Sequence, residues 1–163
     1  MTSLSRKTLS AALKGVRKHR SLTVLQVAKR MGLAKRTYEY FEGLKGGLPV
    51  DQIHGFAQAT DSDAWAILIS ALIGAPDLAT ACADSKAMTI FFLALGRAEP
   101  DLREALTHLS PREVTRVFDA AFADLIAAGR AHRAASGPPS DRQATPPDAP
   151  PQPPEPSDPD RRG

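Results

Sequence analysis

Apolar residues recur at three- and four-residue intervals along most of the chain, and no stretch alternates with period two. Helices are therefore expected throughout and strands are not. Leu9, Leu13 and Val16 mark a first helix. Thr23 offers an N-cap with Gln26 three residues on, the spacing of a capping box. Val27, Ala28 and Met31 then form the apolar face of a short second helix that Gly32 terminates. A third helix is expected from about Ala34 to Gly43 with Tyr38 and Phe41 turned inward, before Gly43, Gly46, Gly47 and Pro49 break the pattern. A fourth runs from about Val50 to Ala59 with Ile53, Phe56 and Ala57 on one face. The fifth, from about Asp63 to Ile73, carries Trp65, Ile67, Leu68, Ala71 and Leu72. It is apolar nearly all round, which predicts burial on more than one side.

Gly74-Ala75-Pro76 reads as a joint, beyond which alanine rises and lysine falls. Met88, Phe91, Phe92 and Leu95 keep helical spacing, and Leu102, Leu106 and Leu109 mark another short helix. Ser110-Pro111-Arg112-Glu113 has the order of a helix start, with a capping serine, a first-turn proline and a glutamate to close the box. The helix it opens should reach about Ala134, with Val114, Val117, Phe118, Ala121, Phe122 and Leu125 on its apolar side. Ten of the 14 prolines lie between Pro138 and Pro159. Such a segment has too little apolar surface to offset ordering entropy, so a disordered, partly polyproline-II tail is expected from 135 to 163; a featureless solubilising end is the favoured reading, with a tether or a proline-rich ligand as the alternatives.

Composition narrows the picture. About 135 residues remain to build a core, enough to fold without staples. The single cysteine, Cys82, excludes an intrachain disulfide or a multi-cysteine zinc site and reads as a small buried apolar residue. No apolar run is long enough to span a bilayer, so a cytoplasmic protein with no membrane partner is expected. His19, His54, His108 and His132 have no metal-ligand spacing. With no phosphate-binding glycine loop, nucleophile elbow or paired carboxylates, neither an enzyme nor a metal or cofactor is expected.

The net charge of +3 hides a strong asymmetry: residues 1–47 hold eleven Lys/Arg against only Glu39 and Glu42. A segment of charge +9 beside near-neutral neighbours is the footprint of a polyanion-binding face, although a solvated surface would also carry charge. Within it, Val24 to Gly43 satisfies the demands of a helix-turn-helix unit. Val27, Ala28, Met31, Gly32, Leu33, Tyr38 and Phe41 fall at positions 4, 5, 8, 9, 10, 15 and 18 of twenty. Ala28 is the small residue where the helices approach and Gly32 the turn glycine. Tyr38 stands where a branched aliphatic is more usual, so its hydroxyl must find water or a partner. Glu42 reads as a structural pairing or helix-end group.

Over roughly residues 8–72 the chain resembles the Cro/phage-repressor (XRE) family of helix-turn-helix DNA-binding proteins. The resemblance lies in Leu13-Lys14-Gly15-Val16-Arg17, Thr23, Val27-Ala28-Lys29-Arg30-Met31-Gly32-Leu33, Lys35-Arg36-Thr37, Glu42, Pro49 and Asp61-Ser62-Asp63-Ala64-Trp65-Ala66-Ile67-Leu68. Val24 stands where the family often has a phosphate-touching glutamine, Ala34 replaces a frequent Ser/Thr cap, and the Glu42–Pro49 spacing is about one residue long. The resemblance implies an all-α fold: a five-helix lambda-repressor-like helix-turn-helix domain over 1–75, then about three further helices over 76–134 that dimerise, complete the core or bind a partner such as RNA polymerase. It implies a sequence-specific double-stranded DNA-binding transcriptional regulator of bacterial or prophage type, associated with the nucleoid when bound, and working as a homodimer on paired half-sites. The third helix would enter the major groove, with Lys35, Arg36 and Tyr40 as the leading base readers and Thr37 and Glu39 next. Arg36 suits the acceptors of guanine, and Glu39 the donor of cytosine. Arg17, Lys18, Arg20, Thr23, Lys29, Arg30 and Lys45 are the phosphate candidates. The alternative is a protein-interaction module on the same scaffold, an antitoxin or polymerase-associated factor with weak or no base reading.

Overall fold

The computed structural model describes residues 5–44 and 50–136, and every regular element among them is a helix. The glycine- and proline-bearing break at 45–49 and the proline-rich tail from 137 lie outside the described residues. The chain divides into two units, one ending at His108 and one beginning at Leu109.

The first unit is built on α1 (Arg6–His19), whose Leu9, Ala12, Leu13 and Val16 are completely buried. Burying a leucine or valine of this kind contributes roughly 1.5–3 kcal/mol. Against this face pack α3 (Lys35–Glu42), α5 (Ala64–Ile73) and α6 (Asp77–Ala81), while α2 (Val24–Arg30) and α4 (Val50–Ala59) close the same core by packing on α3, on α5 and on each other. Their inner residues are Val27 and Ala28, Tyr38 and Phe41, Ile53 and Phe56, Ile67 and Ala71, and Ala79. The rings of Tyr38, Phe41 and Phe56 meet with centroids 6.0–6.4 Å apart.

Helix ends follow the local chemistry. Thr23 and Gln26 form the reciprocal capping box: the Thr23 N–H donates to Gln26 Oε1 at 2.8 Å, and the Gln26 N–H to Thr23 Oγ1 at 3.2 Å. Gly32 turns left-handed at φ +67°, letting the Leu33 N–H reach the Ala28 carbonyl at 2.8 Å. Helices α1 and α4 end in the same manner without glycine, at Ser21 and Asp61. Ala34 opens α3 with no side-chain cap bond, as its methyl group requires.

Where the sequence suggests a joint at Gly74, the chain turns but stays on the core. Gly74 adopts φ +77°, and α6 then lies along α1 and α5, burying Ala79, Cys82 and Ala83. The last helix of this unit, α7 (Ala87–His108), is tied in by Asp63, which is 1% exposed. Its Oδ1 accepts from the Trp65 and Ala66 N–H groups, capping α5. Its Oδ2 accepts from the Met88 and Thr89 N–H groups at 2.9 and 3.1 Å, at the start of α7. Thr89 Oγ1 donates to Oδ1 at 2.9 Å. One carboxylate thus satisfies four backbone donors from two helices, groups that a helix leaves orphaned at its N-terminus.

One expectation changes. The two short helices expected around Leu95 and Leu106 are one helix that continues through Pro100. Proline removes one N–H and presses on the carbonyl four residues back. That residue is Gly96, and the helix continues unbroken past it. The fifth helix is buried on more than one side, as expected: Ala64, Ala66, Ile67, Ser70 and Ala71 are inside, against α1, α4 and α6, while Trp65 and Leu72 on its outer side are 37% and 40% exposed. Trp65 is covered on one side by Phe92, ring centroids 4.4 Å apart.

The second unit contains α8 (Pro111–Ser136). The expected start is present, with the Ser110 N–H donating to Glu113 Oε2 at 2.8 Å and the Glu113 N–H to Ser110 Oγ at 3.4 Å. The helix runs two residues past the expected Ala134. None of its described side chains is buried.

Asp63→Ala should lower stability by about 2–4 kcal/mol in urea unfolding, because two helix starts lose their acceptor together. Gly32→Ala should cost about 1 kcal/mol by the same measurement: the position is spacious, so only the left-handed backbone resists.

Candidate nucleic-acid interface

Helices α2 and α3 join through the short turn Met31–Ala34, with Ala28 buried at their approach. Together they form a helix-turn-helix arrangement whose second helix is only eight residues long. Tyr38, Phe41 and Glu42 face inward and are nearly fully buried. Helical geometry at about 100° per residue then dictates the rest. Arg36 and Tyr40, four apart, lie on the side opposite Tyr38, with Thr37 and Glu39 on either flank. All five residues nominated as base readers, Lys35, Arg36, Thr37, Glu39 and Tyr40, are exposed and share this one short helix. Lys35 Nζ lies 3.6 Å from Glu39 Oε1 across one turn, an exposed pair that a ligand can open at little cost. Arg36 makes no ion pair among the described residues.

The inner side of α3 is fixed by charge as well as by packing. Arg17 from α1 donates through Nε to Glu42 Oε1 at 2.7 Å and through Nη2 to Oε2 at 3.3 Å. Its third nitrogen, Nη1, donates to the Leu22 carbonyl at 3.1 Å. The Tyr38 hydroxyl donates to the same Glu42 Oε1 at 2.8 Å, giving the partner that its burial demands. Ser10 of α1 donates to the Glu42 carbonyl at 2.7 Å. The guanidinium is held more firmly protonated by the hydrogen bond to Glu42, which outweighs its partial desolvation. Desolvation, reinforced by the bond to Glu42, pushes the Tyr38 phenol far above the ordinary tyrosine range. A carboxylate at the last turn of a helix faces the negative end of the dipole, so Glu42 is tolerable there only with such a counter-charge.

This geometry sorts the phosphate candidates. Arg17 is largely buried in its ion pair, its donors directed to Glu42 and Leu22 rather than outward. Arg20 is likewise committed: Nε to the Thr60 carbonyl, Nη1 to Asp84, and Nη2 to the carbonyls of Asp61 and Ala83. Thr23 uses its hydroxyl in the capping box. Arg30 is exposed and donates once, to the Ala59 carbonyl at 3.0 Å. Lys18 and Lys29 are exposed and make no ion pair among the described residues. Lys45 lies outside the described residues.

The geometry also adds cations that motif reasoning passes over. Arg6, Lys7 and Lys14 of α1 line an open groove with Ser10, Ala11 and Gly43, at the C-terminal end of α3. Their spacing along α1 is visible in the sequence, but the crossing of α1 with α3 that brings them to Gly43 is not. Leu25, on the first turn of α2, is 62% exposed, an unusual position for a leucine beside so many cations. No cluster of His, Cys, Asp or Glu suited to a metal occurs among the described residues. None of the helices described is long and apolar enough to cross a membrane.

The chain matches no family model, and no curated protein or solved structure is significantly similar to it. The functional reading therefore stands on the residues themselves.

Arg17→Met should cost about 3 kcal/mol in stability, since it strands a buried carboxylate. Adding Glu42→Gln should recover a substantial part of that loss, so a double-mutant cycle read by urea melts should return a favourable coupling for the pair. The raised Tyr38 acidity carries its own sign. Folded Tyr38 keeps its proton where the unfolded phenol, near pH 10, begins to lose it, so this contribution is present below that range and lost above it. Alkaline unfolding should therefore be accompanied by a rise in phenolate absorbance that Tyr38→Phe diminishes.

Proposed function

We propose that this protein is a sequence-specific double-stranded DNA-binding transcriptional regulator of bacterial or prophage type, acting as a homodimer with α3 in the major groove. The observation that carries the reading is the division of α3. Tyr38, Phe41 and Glu42 anchor one side, while Arg36 and Tyr40 face solvent opposite them, Thr37 and Glu39 on the flanks, and Lys35 is exposed in the first turn. A short helix so held, with a cationic start, has the form required to reach base edges. Arg36 offers the fork that matches guanine O6 and N7, and Glu39 an acceptor for cytosine N4. Lys18, Lys29, Arg30 and the groove of Arg6, Lys7 and Lys14 supply phosphate-directed charge, which sets affinity and its salt dependence. Arg17 and Arg20 serve the scaffold in this account. The resemblance to the Cro/phage-repressor family agrees with it.

A second reading, an interaction module with little base recognition, is favoured by two observations. Two of the expected phosphate arginines are engaged internally, and exposed Leu25 offers an apolar contact on α2.

Selection from a random duplex pool discriminates between them. Under the first reading the chain enriches a defined motif. Lys35→Ala with Arg36→Ala then reduces preference for that motif over an unrelated duplex by about tenfold to a hundredfold for each guanine no longer read, with helicity unchanged. Lys29→Ala should weaken all duplexes alike and lower the salt slope by about one. No enriched motif, or undiminished discrimination in the double variant, would favour the second reading over the first.

A further inference from the structure

The helix α8 carries an apolar strip that nothing in its own unit covers. Val117, Phe118, Phe122, Leu125 and Ile126 are each half or more exposed, with Leu125 at 68%. Side chains of this size leave on the order of 100 Å² each in solvent, or roughly 500 Å² together, at the upper end of what a monomer surface tolerates. Ala121, Ala128, Gly129 and half-buried Val114 extend the same strip. A full helix face of this length approaches the ~800 Å² per partner of a stable interface. In proteins most of a helix's stability comes from packing its apolar side rather than from propensity, so the strip of α8 (26 residues) gains by being covered.

We propose that the cover is α8 of a second copy of this chain, lying antiparallel. The residues facing the seam, Val114, Phe118, Ala121, Leu125, Ala128 and His132, recur at the 3.5-residue average of helices that wrap one another. Large and small alternate along it. Reversing one helix about a twofold axis near residue 123 puts Phe118 opposite Ala128 of the other copy, Ala121 opposite Leu125, and Val114 opposite His132. Phe118 and Leu125 then each meet an alanine, the packing that lets two helices approach, while Val114 and His132 meet at the ends of the seam. A parallel pair would set Phe118 on Phe118 and Ala121 on Ala121, leaving layers alternately crowded and empty. Fitting its own reverse is the property that an isologous contact needs, since one surface must serve as both partners.

Charge agrees with a like partner. Arg112, Glu113, Arg116 and Arg130 lie away from the strip, and Asp119 and Arg133, of opposite sign, border it one heptad either side of Ile126, so no excess of one sign there calls for an oppositely charged protein. Asp124 alone flanks it near the axis, where it meets its counterpart; this pair works against association.

The pairing deepens the homodimer reading by naming its surface, and it is measured without DNA. A full-length monomer that still binds a motif overturns this inference and the homodimer but leaves the DNA-binding regulator standing, and a dimer that binds none overturns only the regulator. Sedimentation equilibrium of the full chain should give twice the 17.4 kDa monomer mass. Leu125→Glu should weaken the association at least a hundredfold, and Asp124→Asn should tighten it. Because a charge at position 125 can also unwind α8, cross-linking supplies a second readout. In a Cys82→Ala background, Phe118→Cys and Ala128→Cys proteins should remain monomeric when each is oxidised alone. In the antiparallel pair, identical positions lie some 15 Å apart, beyond disulfide reach. A mixture of the two, allowed to exchange subunits, should yield covalent dimers. A monomer at all concentrations, or Phe118→Cys cross-linking to itself, overturns the proposal.

Discussion

The contact between Arg17, Glu42 and Tyr38 governs what the rest of the first unit can present. Glu42 sits at the end of α3, where the helix dipole disfavours a carboxylate and the core disfavours any charge. It is held there by a two-pronged guanidinium from α1 and by a phenol one turn earlier on its own helix. Ser10 fastens the same residue's carbonyl. Removing any one of these groups leaves another without its partner in a nearly dry site, so they act as a set. Since the rotation of a helix is fixed once one side is pinned, the outward bearing of Arg36 and Tyr40 follows from this buried cluster. The face that would read DNA is thus shaped by residues that would never touch it.

Much of this scaffold is legible in the sequence because its causes are local. The Thr23–Gln26 and Ser110–Glu113 boxes, the left-handed Gly32, and the inward Tyr38 and Phe41 depend on spacings of three or four residues. Tyr38 even announces its need for a partner. Which partner it finds is not legible, because Arg17 and Glu42 are 25 positions apart. In the sequence an arginine that pairs with a buried carboxylate cannot be distinguished from one that waits for a phosphate. Hence Arg17 and Arg20 read there in the same way as Lys18 and Lys29. Asp63 is recognisable as the entry to α5, but its second role at α7 depends on how the chain returns after α6. Pro100 is a strong local break signal, and the helix nevertheless continues through it.

The distribution of charge and apolar surface suggests a division of labour. The basic residues gather on α1 to α3, around an anchored helix with an open face. The apolar excess falls on later elements: Leu72 and Ile73 on α5, Ile90, Phe91 and Leu93 on α7, and, in the second unit, the strip of α8. Surfaces of the first kind suit a hydrated polyanion, and those of the second suit another protein surface. A pair joined through its apolar surfaces would bring two basic modules to one duplex, the ordinary route to specific affinity for a module this small.

The central claim is that the outer side of α3 lies against guanine edges in a major groove. Methylation protection of guanine N7 on the selected duplex tests this most directly, because N7 faces only that groove. The account requires specific guanines to be shielded by the intact protein and to become reactive again at one position per half-site with Arg36→Ala, while other contacts persist. Full reactivity at every guanine of an occupied site, or shielding indifferent to Arg36, would contradict it.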